Sequence, residues 1–361
     1  MKLLQFESCL RGSKVLVTGS TGFTGSWVTH WLRGIDVECM GFSLSPETTP
    51  SMFEVTGLAR ESTTVSGDVR NFDAVLTTME KLRPDLVLHL AAQPLVRRSY
   101  REPLETFETN AQGTAHVLEA ARRTGVKGVV CVTTDKVYRN HEWEWPYREN
   151  DPLGGKDPYS ASKAAAEMVI QSYTASYPWV EGKGPAIAIA RGGNIIGGGD
   201  WSEDRLIPDF VRSVVEGGVL TLRYPQATRP WQHVLALVQA YLMLLAGLLD
   251  DPSRHARAWN LGPQDSKEYS VRDVLELMST YWRRPILEYM DNPLPEARAL
   301  ALDSTIARNI LGWSPAWTTE EVVRRSAEWY RDFHVSPLAA GEITRRQILD
   351  WRGVLLSREN A

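Results

Sequence analysis

Lys14-Val15-Leu16-Val17-Thr18 is a short apolar run that stops at Gly19, and Gly22 and Gly25 follow before the helix-like Ser26-Trp27-Val28-Thr29-His30-Trp31-Leu32. Strand, glycine turn and helix in this order predict the first unit of a parallel α/β sheet. Glycine lets the backbone turn tightly and approach a pyrophosphate, and the amides at the helix N-terminus supply partial positive charge. Placement between a strand and a helix separates this pattern from an ordinary tight turn.

The strand signal recurs along the chain. Val37–Leu44 reads as strand two and Thr64–Val69 as strand three, with Asp68 near its end. The runs 85–92, 128–134 and 186–191 are almost continuously apolar, as strands covered on both faces of a parallel sheet are. Pro103 to Arg123 has apolar residues at helical spacing. These alternations predict an α/β fold, a Rossmann-like doubly wound parallel sheet. After Arg191 prolines, arginines and tryptophans alternate with short helical patterns, so residues 1–190 are expected to be mainly the dinucleotide-binding domain. Residues 191–361 are then mainly a smaller mixed α/β substrate-binding lobe, with some segments returning to the sheet. Val271–Trp282 and Thr318–Phe333 read as amphipathic helices, and Gly341–Ala361 as a tail of mixed charge.

Composition removes several function classes. A net charge of −4 gives no reason to expect nucleic acid or an anionic membrane as partner. No apolar run reaches membrane-spanning length, and Met1 to Gly12 lacks the long apolar stretch of a signal peptide. The three cysteines, Cys9, Cys39 and Cys131, are odd in number and far apart, which fits buried free thiols in a reducing cytoplasm rather than disulfides or a metal site. Most of the thirteen tryptophans are expected to pack, with a few walling a cleft.

Open α/β sheets bind ligands at the carboxyl ends of their strands. Strand four ends in the small Ala91 and Ala92, leaving room for a cofactor against the backbone, while His89 within it reads as a satisfied core histidine. Asp68 is placed either to meet an adenine amino group or to cap the helix from Asn71. Strand two lacks the carboxylate that would hold an adenosine ribose and lacks an arginine for a 2′-phosphate, so NAD is favoured over NADP without being required. Strand five delivers Thr134-Asp135-Lys136. Downstream, Asp157 can cap and Pro158 can open a helix on which Tyr159 and Lys163 share one face. A nearby ammonium would lower the phenol from its usual value of about 10, making Tyr159 a base for a hydroxyl. The glycine-dense Gly192–Trp201 segment is expected to run over the surface, where its backbone groups find partners. Arg205, Arg229 and the Arg229-Pro230-Trp231-Gln232-His233 turn suit a second pyrophosphate.

With these residues in place, the chain resembles the extended short-chain dehydrogenase/reductases, and among them the nucleotide-sugar 4,6-dehydratases of the CDP-glucose branch. Thr18-Gly19-Ser20-Thr21-Gly22-Phe23-Thr24-Gly25 is similar to the TGxxGFxG turn, although Ser20 and Thr24 stand where close relatives often show His and Lys. Tyr159-Ser160-Ala161-Ser162-Lys163 is similar to the YxxxK helix. The segments 89–97, 192–201, 229–234 and 259–263 resemble that branch too, as does Lys136 in place of the glutamate of other dehydratases. The resemblance implies NAD as cofactor, held by Gly19, Thr21, Gly22, Phe23, Thr24, Gly25, Asp68, Val69, Ala91, Ala92, Gln93, Tyr159 and Lys163. It implies CDP-glucose as substrate, held by Gln93, Asn194, Arg205, Arg229 and His233, and no metal. Tyr159 and Thr134 would serve oxidation at C4, and Asp135 and Lys136 would serve as acid and base in eliminating water, in either assignment. It also implies a homodimer or dimer of dimers, and a hydro-lyase supplying deoxysugars of the kind used in lipopolysaccharide O-antigen. A 4,6-dehydratase of another nucleotide sugar, a nucleotide-sugar 4-epimerase and a non-catalytic dinucleotide-binding sensor or scaffold are the alternatives.

Overall fold

The computed structural model describes residues 1–263, 269–290 and 300–360. Its central sheet has strands β1 (Lys14–Thr18), β2 (Glu38–Ser43), β3 (Thr63–Ser66), β4 (Leu86–His89), β5 (Gly128–Val132), β6 (Ala186–Gly192) and β7 (Ala258–Leu261). They lie in the order β7-β6-β5-β4-β1-β2-β3, all parallel. The order reverses between β1 and β4, which opens a crevice at their carboxyl ends.

Period-two alternation divides the core between the two faces. Val15, Val17, Leu86, Leu88 and Val130 point to one side, against Trp27, Val28 and Trp31 of the helix Phe23–Gly34. Leu16, Val87, Val129 and Cys131 point to the other, against Val75, Met79, Val117, Leu118 and Ile170 from three further helices. The first face also receives the helix Val234–Asp250, in which every residue from Val234 to Leu248 is buried. A helix apolar all round has no solvent face and must lie inside. Among the described residues no helix is long and apolar enough to cross a membrane. The chain leaves this helix to form β7, pairing Ala258 with Ile189 and Leu261 with Gly192, so residues 234–261 complete the sheet from the second half of the sequence.

The remaining lobe holds short strand pairs, among them Val219–Leu222 with Ile286–Tyr289 and Ile195–Ile196 with Gln232–His233, beside the helices Leu206–Glu216 and Val271–Tyr281. The C-terminal tail is a helix, Ala340–Glu359, with Ala361 outside the described residues. Its Trp351 is buried and donates to Gln239 Oε1 at 3.1 Å, and Arg352 donates to both oxygens of the buried Glu7 at 2.8 Å.

Four local expectations are corrected. The helix from Pro103 widens into a π-turn over Glu108–Gln112 before continuing as Gly113–Thr124. Strand three stops at Ser66 and strand five at Val132. The helix after strand three is capped by Asn71, whose side chain accepts from the Ala74 amide, and not by Asp68. Most of the glycine-dense segment, from Ile196 to Asp200, is buried. Its backbone finds protein partners in place of water: Trp27 Nε1 donates to the Gly198 carbonyl at 3.0 Å, and the Tyr330 hydroxyl donates to the Asp200 carbonyl at 2.6 Å while accepting from its amide at 2.9 Å. A Cβ at Gly198 would lie 1.9 Å from Trp329 Cγ, so glycine is what lets the tryptophan in.

Candidate active site

A cavity of about 900 Å³ runs along the carboxyl ends of the central strands. Its first wall is the turn after β1. Gly19 has φ +72° and a Cβ there would meet the Ala91 backbone at 2.9 Å; a Cβ at Gly25 would meet the Gly19 carbonyl oxygen at 2.3 Å. Gly22 caps the following helix without a side-chain bond. Backbone held this close to a helix N-terminus suits a pyrophosphate, and the cavity reaches from it past Thr21, Phe23 and Thr24 to Asp68 and Val69, then across Ala91, Ala92 and Gln93. Thr21 Oγ1 donates to the Leu44 carbonyl at 2.8 Å, tying the turn to the end of β2. Asp68 takes hydrogen bonds from the amide and guanidinium of Arg70. Burial works against its charge, but those bonds hold its carboxyl below the usual range. Gln93 is spent on structure: its amide group bonds Leu95 and Thr106, and its backbone pairs with Asn110.

The opposite wall comes from β5 and the helix Pro158–Ser176. Asp157 caps that helix by accepting from the Ser160 amide at 2.9 Å, with Pro158 opening it. Thr134, Asp135, Lys136, Tyr159 and Lys163 all line the cavity. Thr134 Oγ1 donates to Asp135 Oδ1 at 2.9 Å and is hydrogen-bonded to Tyr159. Lys136 Nζ lies 3.6 Å from Asp135 Oδ1 and 3.4 Å from Asn194 Oδ1. A hydroxyl, a carboxylate, an ammonium and a phenol therefore share one end of the cavity, which can serve proton transfer at neighbouring atoms of one ligand.

The expected easing of the phenol by Lys163 is corrected. Burial pushes Tyr159 up to about 12, against a hydrogen bond with Thr134 and the charge of Arg205 that favour the phenolate. Lys163 Nζ donates to the Val132 carbonyl at 3.1 Å, and burial pushes its pKa down to about 8. Arg205 lines the cavity and donates to Asp200 Oδ2 at 2.9 Å; Asn194 and Arg229 line it as well. His233 is corrected too. It lies outside the cavity wall, fully buried among Trp27, Trp317 and Trp351, with Nδ1 accepting from the Leu235 amide. Burial, then the charge of Arg325, push its pKa down to about 3, so it stays neutral in the core. His89 bonds Thr18 and Thr114, as a satisfied core histidine does.

Several residues around the site carried no readable sequence signal. Asn110, inside the π-turn, holds the Gln93 backbone and donates to Ser162 Oγ at 2.8 Å, between Tyr159 and Lys163. Glu167, one turn beyond Lys163, is buried against Arg191 and accepts from Thr133 Oγ1 at 2.7 Å. Arg191 Nη1 donates to Tyr138 at 2.7 Å, and Tyr138 donates to Asn260 Oδ1 at 2.7 Å. Leu237 and Tyr241, from the buried helix, floor the cavity, and Trp201 and Trp231 are the tryptophans that reach it.

Residues 15–262 match the model of the NAD dependent epimerase/dehydratase family. The chain is 40% identical to the CDP-glucose 4,6-dehydratase of Salmonella typhimurium, over 89% of this chain and 91% of that protein. It is 30% identical to a dTDP-glucose 4,6-dehydratase of Streptomyces antibioticus, over 88% and 92% respectively. Among solved structures, DesIV, the dTDP-glucose 4,6-dehydratase of Streptomyces venezuelae with NAD and TYD bound, superposes with a TM-score of 0.76 at 26% identity, covering 90% of this chain and 99% of that one. The match of the family model across the sheet and the cavity that it frames places this chain in the NAD dependent epimerase/dehydratase family.

Proposed function

We propose that the protein converts CDP-glucose to CDP-4-keto-6-deoxyglucose, as a hydro-lyase that regenerates its cofactor in each cycle. The observation that carries this reading is the Thr134-Asp135-Lys136 cluster beside Tyr159 in one cavity, since an enzyme that only inverted C4 would have no use for an added acid and base. The 40% identity to the Salmonella CDP-glucose enzyme supports the choice of base.

NAD is the cofactor of the family, and the glycine cradle at Gly19 and Gly25 fits its pyrophosphate. When bound at this cradle, NAD would supply the hydride acceptor and donor for the cycle, and its positive charge would favour the Tyr159 phenolate. Thr134 orients the C4 hydroxyl and Tyr159 removes its proton. The new ketone acidifies the C5 proton. Lys136 takes that proton and Asp135 protonates the departing C6 hydroxyl, so one water leaves, and Lys136 gives a proton back to C5 as hydride returns to C6; the reverse assignment of these two is the competing form. Asn194, Arg205 and Arg229 hold the sugar diphosphate. On this reading residues 1–190 mainly carry cofactor and acid–base groups, and the lobe from 191 mainly carries the substrate.

Tyr100, Leu104, Phe107 and Met168 are exposed on the helices around Pro103 and Tyr159, which favours a homodimer paired through them. Three free cysteines suit a reducing cytoplasm. The function is tested by incubating purified protein and NAD with CDP-, dTDP-, UDP- and GDP-glucose. Loss of one water, greatest with CDP-glucose, supports it; an isomer of unchanged mass supports a 4-epimerase, and no turnover supports a binding role. Tyr159→Phe should lower turnover by about 10²–10⁴-fold while leaving NAD bound.

A further inference from the structure

Asp135 and Lys136 sit on a segment that has left the sheet. β5 ends at Val132, and Thr134 caps a single 3-10 turn, Asp135–Val137. Side chains at both ends of this segment are tied to one buried ion pair. Thr133, directly before Thr134-Asp135-Lys136, donates from Oγ1 to Glu167 Oε1 at 2.7 Å. Tyr138, two residues after Lys136, accepts from Arg191 Nη1 at 2.7 Å and donates to Asn260 Oδ1 at 2.7 Å. Arg191 Nε donates to the same Glu167 Oε1 at 2.8 Å, and the two side chains are 2% and 0% exposed. Thr133 and Tyr138 line the cavity, whereas Glu167 and Arg191 stand behind its wall. Glu167 belongs to the helix that carries Tyr159 and Lys163, and Arg191 to β6.

A buried ion pair gives little net stability, because desolvation offsets much of the attraction. Its carboxylate and guanidinium nevertheless fix hydrogen bonds in set directions. One pair, anchored on the Tyr159 helix, thereby sets where both ends of the neighbouring segment lie relative to the phenol. We propose that the Glu167–Arg191 pair acts through Thr133 and Tyr138, as positioning residues, to place Asp135 and Lys136 against the C5–C6 bond of the substrate. The inference rests on the reading of Asp135 and Lys136 as acid and base. Oxidation at C4 depends less on the clamp, because Tyr159 stands on the helix itself and Thr134 is hydrogen-bonded to it.

The test follows two steps in a single turnover of CDP-glucose by the full-length, NAD-loaded protein. Absorbance of the reduced cofactor reports oxidation at C4, and mass spectrometry reports loss of water. Thr133→Val and Tyr138→Phe should each slow the loss of water by about tenfold while cofactor reduction slows less than about threefold, so that reduced cofactor accumulates. Thr133→Ser, which keeps the hydroxyl, should recover the wild-type balance of the two steps. A pair that only braces the core would leave both steps unchanged or slow them in equal proportion, and either result overturns the proposal. Where Thr133→Val fails to fold, Tyr138→Phe decides. If the wild type dehydrates a nucleotide sugar and the variants match it, this inference alone fails; if the wild type removes water from none, the functional reading fails with it.

Discussion

The ammonium of Lys136 faces the carboxylate of Asp135 at 3.6 Å, and the two differ sharply in exposure: 34% of the lysine side chain is open to solvent against 2% of the aspartate. Both groups line the same end of the cavity, so the roles of base at C5 and acid at C6 are separable by replacing one at a time. Lys136→Ala should therefore abolish exchange of the C5 hydrogen with deuterated solvent. Asp135→Asn should retain that exchange and lose dehydration by about 10²–10⁴-fold. Exchange lost in Asp135→Asn and kept in Lys136→Ala would reverse the two roles.

Burial of Lys163 sets a pH dependence on stability. Its folded pKa of about 8 lies below the ordinary 10.5, so the fold disfavours the charged amine. That penalty is complete below about 8 and fades as the pH rises towards 10.5, because the unfolded chain then gives up its proton as well. Lys163→Met, in the protein without cofactor, should be more stable than wild type by about 1–3 kcal/mol at pH 7, with the gain shrinking towards pH 10. Urea unfolding at the two pH values checks this, and a gain that does not change with pH contradicts it.

The Glu167–Arg191 pair ties the Tyr159 helix to β6, with both side chains buried. Removing one partner strands a charge in the core, so Arg191→Met should cost about 3–5 kcal/mol. Glu167→Gln combined with Arg191→Met should recover a substantial part of that loss. Denaturant midpoints of the single and double variants measure the coupling, and simple additivity would contradict it.

The glycine segment offers a packing test. Gly198→Ala places a methyl 1.9 Å from Trp329 Cγ, whereas a Cβ at Gly218 meets nothing within 4 Å. The first substitution should destabilise by about 2–4 kcal/mol and the second by less than about 0.5 kcal/mol, as thermal or denaturant unfolding would show.

The sheet was legible because buried parallel strands such as 128–132 and 186–192 are apolar on both faces, and because Asp157, Pro158 and the glycine turn carry local chemistry that needs no tertiary context. The Gly192–Trp201 segment misled for the opposite reason. Its burial depends on Trp27, Trp329 and Tyr330, partners as many as 171 residues away, and glycine content alone reads the same over water as under a tryptophan. His233 misled similarly: beside arginine and tryptophan in sequence it resembles a ligand residue, yet three distant tryptophans enclose it. The direction of the Lys163 ammonium, towards Val132 rather than the phenol, depends on side-chain geometry that helical spacing does not specify.

The most direct test of the account is turnover of CDP-glucose carrying deuterium at C4, with unlabelled NAD and analysis of the sugar by mass spectrometry and NMR. The product should be lighter by one water and carry the deuterium at C6, because the hydride leaves and returns within one cavity. A product that has lost no water, or one whose C6 carries no deuterium, would contradict it.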